Sequence, residues 1–433
     1  MKVLVSSFLL LSAALPACAS ETLSAEDIRA DFQQLYETLQ QVDPELYVHL
    51  DKPHYDALYQ HSLDAITEGE SGPDVAKRFQ RFVAAGGVSH ARIDASYAAF
   101  RDYLSKGGKA FPLYLKLVHG RYYVAENRSG LKSIRRGEEI YAINREPIRT
   151  VFARAGQNLS ADSPYMAQTQ LETDFPMALW LDLGPSVDHV ELTFVRKRTL
   201  FHKVVPFITE GEMLLNAKKQ PPVLVINGHN RVARMEGRIA YMRPGIFRNF
   251  RGGDAGTEFK AFLEESFEGF LEDDAERLLI DLRENPGGGD AFAADLIAWF
   301  ANRPFRLHED GPLIEPHPEP RFIGKTFVLI NRNSYSAAAV LAAAVEDQRL
   351  ALVIGEKTAD QASNQIAIKT FKLEKSGLVV GFPTASIKRP AGDKTTRAVL
   401  PDIVIDTPVI EEPDDPVLKQ AFDLVRTTPA NVH

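Results

Sequence analysis

A chain of 433 residues with 45% hydrophobic and 25% charged side chains has ordinary globular composition. At roughly 100–200 residues per domain it is too long for one average domain. Its formal net charge of −8 offers no long-range attraction to phosphate backbones, which argues against a nucleic-acid partner. A single cysteine, Cys18, leaves a monomer without a disulfide and the chemistry without a thiolate.

At the N-terminus Lys2 precedes an apolar run from Val3 to Leu15, and Ala17-Cys18-Ala19 follows. The run is too short to span a bilayer and is closed by small residues, so residues 1–19 read as a secretory signal. Ala17-x-Ala19 suits an ordinary signal peptidase. Leu15-Pro16-Ala17-Cys18 is similar to a lipobox, which makes Cys18 a candidate lipid anchor. The expected location is the periplasm, with a lipid-anchored membrane lipoprotein as the alternative. Residues 22–95 read as a helical module. Acidic residues follow Ser24 in a first turn, and Ile28, Phe32, Leu35, Tyr36 and Leu39 recur at helical spacing. Asp43-Pro44 breaks the pattern, and further helices are predicted over Tyr55–Ile66 and Pro73–Phe82. Gly86-Gly87 then leads into Val88–Ile93, a short strand-like segment.

Residues 108–208 change to short strands, with alternation at Leu113, Leu115, Leu117 and at Tyr122, Val124. Ile134 to Asn144, with its Gly137-Glu138 turn, resembles the strand-turn-strand of PDZ domains, although Glu138 replaces the usual Asp and Arg145 the final Gly. An unrelated small β domain fits the same alternation. Asn216–Pro222 reads as a linker. From residue 222 to about 408 buried strands alternate with helices. Strands are expected over Arg238–Met242, Leu278–Leu282, Phe327–Ile330 and Ala351–Gly355, and helices over Phe259–Phe270, Asp290–Phe300 and Ser336–Glu346. This is an α/β layered domain.

Two strand-to-helix junctions carry the residues best suited to chemistry. Asp281 to Gly289 contains Asn285-Pro286-Gly287-Gly288-Gly289, and glycines there let backbone N–H groups face outward near a helix N-terminus. Such N–H groups can stabilise an oxyanion; a plain tight turn is the alternative. Asn333-Ser334-Tyr335-Ser336-Ala337 puts a serine hydroxyl at a second helix start, where it suits a nucleophile or, equally, an N-cap. Ser334 is available for that capping role. There is no His-Glu-x-x-His, cysteine cluster or calcium loop, so no metal and no cofactor is expected.

Taken together, the two junctions resemble the tail-specific (C-terminal processing) serine peptidase family. Its "DLRxNPGG" turn, strand–helix serine, "GExT" strand end and "xPDIxV" tail correspond to Asp281–Gly288, Ser336, Gly355–Thr358 and Leu400–Val404. The resemblance implies an α/β multidomain protein with a Clp-peptidase/crotonase-like catalytic domain (222–408), an N-terminal helical module and a PDZ-like β domain. It also implies a serine-type peptidase, with Ser336 as nucleophile and an oxyanion hole from the N–H groups of Gly288 and Ala337. The substrate would be a peptide or protein. Where many members carry a lysine base this chain has Gln361, and an amide has no useful basicity; Lys357 is nearby but out of register. The histidine-using branch, which includes the tricorn core protease, places its base in a segment that Val88–Ile93 resembles, making His90 the candidate base. That branch orients its histidine with a late glutamate. Thr395 stands at that position, and Asp393 is the nearest carboxylate and the candidate third member. Two other readings stay open: an impaired ligand- or peptide-binding protein on the same fold, and a small-molecule esterase or amidase.

Overall fold

The structure is a computed structural model, and it describes residues 23–42, 46–220, 224, 226–248, 257–362, 365–392, 397–410 and 412–429. The signal segment, Cys18, the Asp43-Pro44 break and Asp393 therefore lie outside the described residues.

Helices come first: α1 (Ala25–Val42), α2 (Lys52–Asp64), α3 (Gly72–Ala85), then strand β1 (Arg92–Ile93) and α4 (Ala95–Ser105). Next are β2 (Lys109–Ala110), β3 (Leu113–Val118), β4 (Arg121–Asn127), β5 (Glu139–Ile143), β6 (Glu146–Pro147), α5 (Ile148–Gly156) and α6 (Pro164–Leu183). They are followed by β7 (His189–Arg196), β8 (Thr199–Pro206), β9 (Ile208–Thr209) and α7 (Glu210–Ala217). Strands and helices then alternate through β10 (Val232–Glu236), β11 (Ile239–Arg243), α8 (Thr257–Glu272), β12 (Arg277–Asp281), α9 (Asp290–Ala298), β13 (Lys325–Ile330), α10 (Ala337–Gln348) and β14 (Leu352–Gly355). Four short strands, β15 (Gln365–Ile366), β16 (Lys369–Lys372), β17 (Val379–Phe382) and β18 (Ala385–Ser386), precede β19 (Ile403–Val404) and α11 (Pro416–Thr427).

The chain forms two compact units, residues 1–221 with 365–386, and residues 222–364 with 387–433. In the first, α1 buries Ile28, Phe32, Leu35, Tyr36 and Leu39, the stripe that the helical spacing predicts. Asp51 and Ser71 cap α2 and α3 by accepting from the N–H groups of His54 and Asp74, and each helix has proline in its first turn, where no N–H is needed. The aromatic core includes Phe32, Tyr55, Phe79 and Phe82. The stretch from Val88 to Ile93 is a strand only at β1. A turn closed by the Ala91 N–H on the Val88 carbonyl (3.0 Å) takes His90 out of extended backbone.

The β region of this unit is an antiparallel sheet ordered β3-β4-β5-β7-β8, with α5 and α6 packed on it through Phe152, Leu171 and Phe175. Gly137 has φ +81° in the turn before β5. Asn144 and Arg145 both adopt left-handed backbone (φ +49° and +68°) between β5 and β6, which is the conformation a glycine at 145 would favour. α6 was expected as part of a strand-rich stretch. It is a 20-residue helix whose Ser163 cap accepts from Met166 N–H, and its buried residues include Leu171 and the unbroken run from Phe175 to Leu181. The hairpin of β16 and β17, which the sequence reading leaves inside 222–408, belongs instead to the first unit. β17 pairs antiparallel with β1 (Arg92 opposite Gly381), and Leu373, Val380 and Phe382 enter the helical core.

The second unit is a sheet ordered β10-β11-β12-β13-β14-β19, parallel from β11 to β19. One face is covered by α8, α9 and α10, around Phe259, Phe267, Leu296 and Leu341. Ala421, Phe422 and Val425 of α11 cover the other, against Tyr241, Leu279 and Phe327. Because both faces are covered, β12 and β13 read as continuous apolar runs rather than alternating ones. Their carboxyl ends are where open parallel sheets present reactive groups.

Candidate active site

Both candidate junctions lie at the carboxyl ends of adjacent strands. β12 runs into the glycine turn and α9; β13 runs into Ser336 and α10. Each strand is fixed by its neighbours in register (Leu279 opposite Phe327, Asp281 opposite Leu329), so the two junctions emerge side by side.

Direct bonds then tie them together. Tyr335 N–H donates to the Asn285 carbonyl (3.0 Å), and the buried Ser334 hydroxyl donates to the Leu282 carbonyl (2.8 Å). Ser334 thus joins the junctions and does not cap α10; Ser336 holds the cap position and makes no side-chain cap bond. Buried Asn285 works from the other side, its Nδ2 donating to the Gly245 carbonyl (2.9 Å) and its Oδ1 accepting from Gly287 N–H (2.9 Å).

Gly287 and Gly288 are required here by space. A Cβ on Gly287 would lie 2.7 Å from Ser336 Cβ and 2.7 Å from Ala337 N; one on Gly288 would lie 2.2 Å from the Phe247 carbonyl oxygen. Both have positive φ, +82° and +138°. Phe247 runs alongside as an isolated parallel bridge, accepting from Gly289 N–H (3.0 Å) and donating to the Gly287 carbonyl (2.9 Å). The N–H groups of Gly288 and Ala337 donate no hydrogen bond among the described residues. Such N–H groups beside a serine have the chemistry to stabilise an oxyanion.

Ser336 has φ +53° and ψ −127°, a conformation a serine adopts at a cost of about 1–3 kcal/mol. Its N–H donates to Asp360 Oδ2 at 2.6 Å. Asp360 is itself buried; its Oδ1 accepts from Ala362 N–H (2.9 Å), and its carbonyl accepts from the Thr358 hydroxyl (2.7 Å). Sequence reading missed this carboxylate. Its only sequence signal is a position one residue before Gln361, the site where a lysine was sought. Glu356 of the Gly355–Thr358 segment forms a forked ion pair with Arg332 (Nε–Oε1 3.0 Å). Lys357 is exposed.

A buried ionic network underpins the glycine turn. Asp281 accepts from Arg283 (2.9 and 2.8 Å), Arg243 (3.1 Å) and the Tyr241 hydroxyl (2.8 Å). Arg283 also grips Asp415 through two bonds of 2.9 Å. Burial alone would raise the Asp281 carboxyl pKa; the Arg283 and Arg243 guanidiniums hold it well below the carboxylate range.

His90 belongs to the first unit. Its Nδ1 lies 3.1 Å from the Ser89 hydroxyl, and Ser89 N–H donates to Asp162 (2.7 Å). The following strand is pinned by Gln80, whose Oε1 accepts from Ile93 N–H (2.7 Å). Burial, with Arg92 nearby, pushes the imidazole down to about 4. Ser89 is a second residue that sequence reading passed over, although it precedes His90 directly. Of the predicted site residues, Ser336, Gly288 and Ala337 therefore share one junction pair, His90 sits in a turn of the other unit, and Asp393 lies outside the described residues. No group of three or more metal-ligating side chains occurs among the described residues.

The fold and this junction pair define an α/β domain with a strained serine set against a glycine turn. Residues 238–405 match the model of peptidase family S41. A "Tail-specific protease" of Haemophilus influenzae is 37% identical over 95 residues, which cover 19% of this chain and 13% of that protein. The chain thus matches only a small part of that curated relative's length. The crystal structure of mature CPAF superposes with a TM-score of 0.63 at 14% identity, covering 94% of this chain and 99% of that one. CPAF complexed with lactacystin gives 0.63 at 13%, covering 93% and 97%. At these identities the likeness establishes a shared mixed α/β fold.

Proposed function

We propose that the protein is an exported serine peptidase that hydrolyses peptide bonds through an acyl-serine intermediate. The observation that carries this reading is the strained Ser336 at a helix start, beside two backbone N–H groups, Gly288 and Ala337, that donate no hydrogen bond among the described residues. Ser336 Oγ attacks the scissile carbonyl, and the developing oxyanion is held by those N–H groups. His90 takes the hydroxyl proton and returns it to the leaving amine; a water molecule, deprotonated by the same imidazole, then releases the acyl group. The Ser89 hydroxyl at Nδ1 supports the ring orientation that this requires. Asp393 is proposed as the third member.

The β region from 108 to 208 is read as the PDZ-like part, receiving an extended peptide beside a strand. A protein substrate agrees with the name of the Haemophilus influenzae relative. Export rests on the apolar N-terminal run, with a periplasmic location or a lipid anchor at Cys18. No helix among the described residues is long and apolar enough to cross a membrane.

Hydrolysis of an unstructured reporter polypeptide by the purified mature chain tests the reading. Ser336→Ala lowers kcat by a factor of about 10³ or more with little change in KM, while the circular dichroism spectrum stays that of the wild type. Full activity in that variant would remove Ser336 from the mechanism.

A further inference from the structure

A cleft of about 870 Å³ opens within the first unit, between α3 and the loop that follows α5, a volume in the range of small-molecule sites. Leu58, Phe82 and Leu159 give it an apolar lining, and Lys77 and Arg81 stand beside them. The charges do not balance. Arg78 is taken by Glu70 (2.7 and 3.2 Å), and Asp74 accepts the Ser71 hydroxyl (2.6 Å). Lys77 and Arg81, four residues apart on α3, have no carboxylate within ion-pair distance among the described residues. Asp182, whose charge reaches both, is held by Arg154 Nε through two contacts of 2.9 Å. Lys77 Nζ donates to the Leu181 carbonyl, a neutral acceptor. Arg81 Nε donates to Asn158 Oδ1 (2.8 Å), which fixes the guanidinium and leaves its two terminal nitrogens without a partner among the described residues. Two half-buried cations on which carboxylates, Asp182 for both and Asp74 for Lys77, act only at a distance are costly. Burial lowers the pKa of both, with Arg81 adding to the shift at Lys77 and Arg154 opposing the charge at Arg81.

We propose that this cleft binds a carboxylate at the end of an apolar body, with the two Arg81 terminal nitrogens gripping its oxygens and Lys77 supplying the second charge. The planar fork matches a carboxylate bidentately. The apolar residues accommodate the body. Glu70 and Asp74, which also line the cleft, disfavour a dianion such as phosphate. A small free acid and the C-terminus of a peptide share this chemistry. The proposal does not rest on the peptidase reading, because none of these residues belongs to the Ser336 junction.

Isothermal titration of the full chain at pH 7 and low salt tests it, with hexanoate, N-acetyl-Ala-Leu as free acid, the same dipeptide as its amide, and inorganic phosphate as probes. At least one of the two carboxylates is expected to bind, and which one identifies the source; the amide does not bind. Arg81→Gln weakens the affinity about tenfold or more and Lys77→Met about threefold or more, the sizes expected for charge-assisted hydrogen bonds. If Arg81→Gln fails to fold, Lys77→Met carries the test alone. Absence of binding by both carboxylates, equal binding of the amide, unchanged affinity in the variants that fold, or binding of phosphate alone would overturn the proposal.

Discussion

Ser336 is held at φ +53° by one charge-assisted hydrogen bond, from its own N–H to Asp360 Oδ2. That bond consumes the serine N–H, so the oxyanion donors proposed beside it are those of Gly288 and Ala337. Replacing Asp360 with alanine removes a bond worth about 1.5–3 kcal/mol at the residue whose geometry chemistry needs. The expected result is a kcat lower by roughly 10- to 100-fold with KM nearly unchanged; an unchanged kcat would mean that the helix start alone holds the serine. Gly288→Ala meets the Phe247 carbonyl and is expected to cost both folding yield and rate. Nothing in a single sequence marks Asp360, because a buried acceptor for a backbone N–H has no spacing rule; the two strand–helix junctions were legible because strand, turn and helix signals converge on them.

His90 yields a pH prediction of definite sign. Its imidazole is pushed down to about 4 from an ordinary value near 6.5, and a general base works only when neutral. On the role proposed for His90, the acid limb of kcat/KM falls as pH drops through about 4, and activity at pH 5.5 stays close to that at pH 7. A limb centred near 6.5 would separate the activity from this imidazole. The same shift bears on stability. Unfolded chains bind a proton at His90 below about 6.5 that the folded chain refuses until about 4, so this stability contribution is complete above 6.5 and is lost as pH falls across that window.

At the scale of elements, β12, β13 and the helices that follow them do the positioning. The Asp281–Arg283–Asp415 network anchors the end of β12 to the start of α11, with Arg283 and Asp281 almost wholly buried. Removing one member of such a network leaves the others desolvated and unmatched. Arg283→Met is expected to lower unfolding free energy by about 3–5 kcal/mol, read from the denaturant midpoint; a loss under about 1 kcal/mol would show that Arg243 alone satisfies Asp281. Elements with one clear period were legible in the residues, as α1 shows with its five-residue stripe and β13 with its continuous apolar run. α6 was not, because its apolar residues run on without a break from Phe175 to Leu181 and set no helical period, and only its Ser163-Pro164 start announces it. His90 is singled out by resemblance alone, and its turn is not legible, since the Ala91–Val88 bond that closes it has no residue signature of its own.

Over the whole molecule, the chain passes between its two compact units at 221, 364 and 386. The hairpin that follows Asp360 by a few residues joins the unit that carries His90, where β17 pairs with β1. Such long-range pairing cannot be read from local pattern, because strand propensity says which residues extend and not which partner they choose. The proposed chemistry demands both the His90 base and the Ser336 nucleophile with its oxyanion donors. Labelling by a fluorophosphonate, which phosphonylates an activated serine with loss of fluoride, tests that demand directly when wild type and His90→Gln are compared with the adduct mapped by mass spectrometry. The account predicts one adduct, on Ser336, formed at least about 100-fold more slowly in His90→Gln; an adduct on another residue, or an equal rate in the two proteins, would contradict it.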